Sequence, residues 1–216
     1  MSIINMCRLM AEGLLISVEI FFSTLFFSLL LGLLVAFGRM SKSAILRVPT
    51  KVFISIMRGT PLMLQLFVIY YGPWYLFHIK ISAEYKLIAV LIGFAINYAA
   101  YFAEIYRAGI ESIPVGQYEA AKILGYNKIQ TFIYIILPQV IKRIVPPVAN
   151  ETITLVKDTS LAYVLGVVEM FAKTKQIAAA ETSMIPFAIA GVFYYIFNLI
   201  VAVTFEKIEK KLSYYR

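Results

Sequence analysis

Glu151 and Asp158 are the residues of this 216-residue chain whose chemistry most needs an explanation, because both carboxylates fall inside a long apolar run. On insertion scales a charged side chain at the centre of a bilayer costs ~2.5–3.5 kcal/mol, so one that persists there faces a cavity or a partner. Seven residues separate the two, close to two helical turns, and Thr154 lies between them on the same face. Ser160 adds a hydroxyl within a turn of Asp158. Such a stripe suits a passing cation, an ammonium group for example. The competing reading of Asp158 is internal pairing, with Lys157 or with an arginine such as Arg58. For Glu151 the open side of a pore is the better fit, and selectivity would be set there.

A second constellation lies near Pro61. Arg58, Gly59, Thr60 and Pro61 should break a helix, since proline supplies no N–H and clashes with the preceding turn. Backbone groups freed at a break can line a cavity. Leu64 and Gln65 follow within about a turn; the Gln65 amide could donate to a substrate carboxylate or bond between helices. Asn97 invites the same two readings, interhelical bonding foremost. Glu104 and Arg107, at i and i+3, read as a local ion pair. Glu19, inside the first apolar run, has no explanation in the sequence, and Phe21, Phe22, Phe26 and Phe27 read as lipid-facing or packing residues.

The elements that must hold these groups follow from composition. With 61% hydrophobic and 15% charged residues the chain exceeds the roughly 45–50% apolar share of soluble domains and belongs in a membrane. Apolar stretches at about 13–38, 52–77, 87–106, 144–168 and 185–205 predict five transmembrane helices in a single domain over residues 1–216. Continuous runs such as LLLGLLVAFG do not alternate, which speaks for helices over a barrel. The first run lacks the flanks of a cleaved signal and reads as a retained anchor. The net charge of +8 is dispersed between apolar runs, which points to topology signals and membrane lipid, not nucleic acid. One cysteine, Cys7, and one histidine, His78, leave no internal disulfide and no histidine-built metal site.

Fourteen lysines and arginines fall at the end of the first run and beyond the third and fifth, and five at the other ends. The positive-inside rule then puts the N-terminus outside and the C-terminus and residues 106–144 in the cytoplasm. In that cytoplasmic segment Pro114 and Gly116 should make a turn, Gln117 should begin a short helix over Tyr118 to Leu124, and Gly125 falls where a left-handed cap is expected. Ala120 with Leu124, and Ala121 with Gly125, give it a face of small residues on which a partner could approach closely; a plain connector on the membrane surface is the alternative.

EAAKILG at 119–125, followed after a spacer by IILP, resembles the EAA loop of membrane subunits of bacterial ABC importers. RGTPLMLQLFVIYYG, YFAEIYRAGIESIPVGQYEAAKILG and LPQVIKRIVPPVANETITLVKDTSLAYVLGVVEM, in one order over more than half the chain, look like the polar amino acid branch of that family. The resemblance implies an all-α integral membrane protein of five helices with the type I importer permease fold. It also implies a coupling loop at about 112–138, in which Gln117, Glu119, Ala120, Ala121, Leu124 and Gly125 meet the ATPase. The implied partners are an ATP-binding cassette subunit that carries ATP and Mg, a second permease protomer, identical or paralogous, and an external solute-binding protein. It places the helix of Glu151 and Asp158 along the path of a polar amino acid, a cationic one if both charges face the pore. No G-x-x-x-x-G-K-[ST] loop occurs, so this chain has no visible means of hydrolysing ATP and no cofactor of its own. The alternative is an ion-coupled secondary carrier, which the lack of an inverted repeat disfavours.

Overall fold

The structure, a computed structural model, describes residues 1 to 212, so Arg216, one of the basic residues counted above, lies outside the described residues. The described residues are helical throughout, with no strand. Ser2 opens α1, Ile3–Arg39, by accepting a bond from the Asn5 N–H at 3.4 Å. At 1.5 Å per residue α1 is about 55 Å long, well beyond the ~30 Å of a hydrocarbon layer. The helix begins ten residues before the apolar stretch expected from Gly13. Glu19 lies about 30 Å along α1 from Arg39, and its side chain is exposed. The phenylalanine cluster divides: Phe21 is buried, whereas Phe22, Phe26 and Phe27 face outward.

The expected second span is two helices, not one kinked helix. Helix α2, Ala44–Gly59, and α3, Leu62–Phe77, meet at Thr60 and Pro61 with a bend of 113°. In a continuous helix the Met57 carbonyl would accept from residue 61, which is proline and has no N–H. The Gln65 Nε2 takes that carbonyl at 3.0 Å and the Asn97 Nδ2 at 3.1 Å. Gln65 Nε2 also donates to the Thr60 carbonyl and hydroxyl at 3.1 and 2.8 Å, and its Oε1 accepts from Asn97 at 2.9 Å. Both amides are buried, so the network stabilises the bend where unmet carbonyls would cost most.

Helix α4, Tyr85–Glu111, is the centre of the bundle. Phe94, Tyr98, Ala99, Ala100, Phe102 and Ala103 are buried in it, and its alanines let α1 pack closely along its length. Helix α5, Val115–Ile123, is followed by a single turn, α6, Lys128–Gln130, a π-helical stretch at Thr131–Ile136, and α7, Leu137–Asp158. A 3₁₀ stretch, Thr159–Leu165, ends this run. Residues 128–165 thus form one 38-residue helical run, longer than the expected 144–168. The π register precedes Pro138, whose missing N–H disturbs ordinary α pairing; Gln139 Nε2 donates to the Ile135 carbonyl there at 2.7 Å. Helices α8, Met170–Glu181, and α9, Ile185–Lys211, complete the chain. By length and composition four helical runs can cross a membrane, five if the bent pair counts as one.

Candidate functional site

An open cleft of about 560 Å³ lies between α4 and α7, lined in part by Arg58, Tyr101, Arg107, Arg143 and Glu151. Its floor is a charged network. Arg107 donates through Nη2 to Glu104 at 2.6 Å and pairs with Glu111, and Arg39 of α1 lies 3.6 Å from the same Glu104. The local pair expected from spacing is therefore present, as part of a tie between α1 and α4. Arg143 donates to the Ser112 hydroxyl at 2.9 Å and to its carbonyl, joining α7 to the start of the cytoplasmic segment.

Two charges in this cleft have no such partner. The Arg58 guanidinium rests over the Tyr101 ring at 5.4 Å, and Glu151 makes no hydrogen bond or ion pair among the described residues. Asp158, two turns above Glu151, accepts from the Tyr98 phenol at 2.7 Å and forms no ion pair with Lys157 or Arg58. Neither sequence reading of Asp158 anticipated Tyr98, which is inconspicuous in an aromatic-rich span. Thr154 and Ser160 donate to carbonyls of their own helix, Asn150 at 3.1 Å and Lys157 at 2.8 Å. Ser160 lines a different hollow of about 340 Å³ with Lys157, Phe171 and Tyr194. Leu64 is exposed on α3, outside the lining of the main cleft, and Gln65 is committed to the bend. Of the residues singled out as a substrate site, Glu151 alone lines the cleft, and Arg58 and Tyr101 join it.

Below the cleft, α5 starts at Val115 after Pro114 and ends at a left-handed Gly125, φ 82°. The Gly125 N–H bonds to the Lys122 carbonyl and the Tyr126 N–H to the Ala121 carbonyl, at 3.1 and 3.0 Å. This is the Schellman arrangement, in which the last orphan carbonyls of a helix are met by a left-handed turn. The expected cap is therefore formed. The small-residue face is divided, however: Ala121 is buried against the π-helical stretch, and Gln117, Glu119, Ala120 and Leu124 are exposed. Gln117 Oε1 accepts from Gln139 Nε2 at 3.4 Å, a link from α5 to α7.

At the opposite end Glu169, which sequence reasoning passed over, is wholly buried. It caps α8 by accepting from the Phe171 and Ala172 N–H groups at 2.7 and 2.8 Å, and accepts from the Ser17 and Tyr194 hydroxyls at 3.4 and 3.5 Å. Three helices thus meet on one carboxylate. Burial pushes its pKa up to about 7. Gly13 permits this closeness, since a Cβ there would sit 2.9 Å from Glu169 and Met170 backbone atoms. The only legible signal was Glu169 immediately before a helix, in a capping position.

Residues 28–214 match the family model of the binding-protein-dependent transport system inner membrane component. The chain belongs to that family. A probable amino-acid ABC transporter permease protein of Bacillus subtilis is 40% identical over 206 residues, covering 94% of this chain and 89% of the relative. The L-cystine transport system permease protein of the same organism is 34% identical over 209 residues, covering 96% and 88%. The solved structure of an amino acid ABC transporter with histidines superimposes with a TM-score of 0.88 at 30% identity, over 97% of both chains. The MetNI methionine ABC transporter shares the fold, with a TM-score of 0.77 at 18% identity over 99% and 100%. The permease is accordingly a non-catalytic, multi-pass membrane subunit of an ABC importer, and ATP hydrolysis belongs to separate subunits.

Proposed function

We infer that the permease carries polar amino acids inward across the bacterial cytoplasmic membrane. The observation that carries this reading is the pair of opposite charges, Arg58 and Glu151, that line one cleft without an ion pair. An α-amino acid presents a carboxylate and an ammonium group to any site it enters, and a guanidinium and a carboxylate answer both. The cleft, about 560 Å³, falls within the roughly 300–1,000 Å³ of small-molecule sites. Relatives named for amino acid and cystine transport support the same substrate class.

In this reading the protein has five spans, the bent α2–α3 pair serving as the second, with the N-terminus outside and the C-terminus inside. Residues 112–138 meet the ATPase, which holds ATP and Mg. A second permease protomer completes the channel, because one protomer lines only half of it, and a binding protein delivers substrate to the outer end. A cationic side chain is favoured as well: with Arg58 and Glu151 engaged by the backbone groups of the substrate, Asp158 remains a carboxylate with a phenol partner and no ion pair.

Competition for uptake by a panel of labelled amino acids, in proteoliposomes holding permease, ATPase and binding protein, tests both levels. Glu151→Gln should weaken uptake of all amino acids by about tenfold or more, the value of one charge-assisted contact. Asp158→Asn should weaken uptake of arginine or lysine more than that of glutamine. Unchanged uptake by Glu151→Gln would remove the cleft from the substrate path.

A further inference from the structure

We propose that the elbow between α5 and the helical run after it is a receptor for a carboxylate side chain of the ATPase subunit, held between Lys122 and Lys128. The proposal rests on the reading that residues 112–138 meet the ATPase and names what that interface must contain. The left-handed turn at Gly125 folds the chain back on itself, leaving a hollow of about 690 Å³. Tyr118 and Lys122 line one wall, four residues apart on one face of α5; Lys128 and Phe132, again four apart, line the other, and Tyr126 sits at the corner.

The chemistry of the hollow is one-sided. Neither lysine forms an ion pair, and neither tyrosine hydroxyl has a hydrogen-bond partner among the described residues. Glu119 is the one acid between positions 112 and 130, and it pairs with neither lysine. Two like charges facing one concave space repel each other, and a single carboxylate between them converts that repulsion into two attractions. Phenol hydroxyls supply further donors to the same oxygens.

The exposed apolar residues of the same segment say which kind of molecule brings the carboxylate. Ile123, Leu124 and Ile129, each next to a lining residue or one residue further along the chain, are 86%, 73% and 71% exposed, on a segment that basic-residue bias places in water. Contiguous apolar side chains in water mark a protein contact. A lipid headgroup entering the hollow would leave them uncovered, whereas a folded partner covers them and the hollow together. The importer supplies one partner that must bind from the cytoplasm, the ATPase.

The test measures affinity of the ATPase subunit for the permease in nanodiscs, with carbodiimide coupling of the assembled complex followed by peptide mass spectrometry. Lys122→Glu/Lys128→Glu should weaken assembly by tenfold or more, and Lys122→Gln/Lys128→Gln by a smaller factor. Coupling should join Lys122 or Lys128 to an aspartate or glutamate of the ATPase. Ile123→Asp/Leu124→Asp serves as the control for docking itself. If that control abolishes assembly while both lysine pairs bind within twofold of wild type, the receptor is wrong and the docking reading stands. If neither set matters, the docking reading fails and the receptor with it. A loss that appears with anionic lipid and vanishes in phosphatidylcholine nanodiscs would make the hollow a lipid site and overturn the proposal.

Discussion

Glu151, in α7, and Glu169, at the cap of α8, are carboxylates that live in opposite surroundings. Around Glu169 four donors from three helices converge and no space remains. Around Glu151 there is an open cleft and no bond. The end of the molecule at Glu169 is closed by its own side chains, while the end at Glu151 leaves charges and the exposed helix α5 for other molecules. A carboxylate surrounded by donors holds structure; one without donors in a cleft is available to a ligand.

The largest effects should separate these two carboxylates. Glu169→Ala strands two buried N–H groups and two hydroxyls, and at ~1–3 kcal/mol for each unmet buried group it should cost several kcal/mol. Glu151→Ala removes no bond and should stay within about 0.5 kcal/mol. Thermal denaturation of both variants in detergent reads the difference directly. Comparable losses of Tm would erase the distinction between a closed end at Glu169 and an open one at Glu151.

The two ends also use glycine for different reasons, which gives the next effect in size. At Gly13 a methyl group meets backbone 2.9 Å away, so Gly13→Ala should destabilise by roughly 1–3 kcal/mol as α1 and α8 are pushed apart. At Gly125 a methyl group meets nothing within 4 Å, and only the left-handed backbone, φ 82°, opposes it by ~1–2 kcal/mol. Gly125→Ala should therefore lower Tm by a few degrees, less than Gly13→Ala does, yet lower the uptake obtained per ATP hydrolysed, because the presentation of α5 changes. Assays of Tm and of coupling on both variants should give opposite patterns. A normal coupling ratio in Gly125→Ala would show that the turn is not what presents the helix.

Much of this was legible because it is written locally. Apolar runs gave the crossing elements, Pro61 gave the break, and Gly125 with the small helix before it gave the cap. The sharpness of the bend was not legible, since it depends on Gln65 and Asn97 meeting across 32 residues of chain. Asp158 illustrates the same limit: its partner, Tyr98, lies 60 residues away and carries no sign of that role in its own neighbourhood. Glu169 was passed over because a single acid before a helix reads as an ordinary cap until Ser17 and Tyr194 are brought to it.

The smallest effect is a pH dependence confined to the end at Glu169. Burial raises the Glu169 pKa to about 7, against an ordinary glutamate value of 4.5, so the folded state binds the proton more tightly than the unfolded one. Its contribution to stability is therefore complete below about pH 4.5 and is lost as pH rises through about 7, by at most ~1.4 kcal/mol for each pH unit. The groups that face it are the Ser17 hydroxyl of α1, the Tyr194 hydroxyl of α9 and the first N–H groups of α8, and no salt bridge among the described residues reaches it. Wild-type Tm should then fall by a few degrees from pH 5.5 to 7.5. Glu169→Gln, neutral throughout and still able to accept at the α8 cap, should flatten that slope while keeping the helix capped. A slope that survives in Glu169→Gln would assign the pH dependence to some other group and leave that end closed by geometry alone.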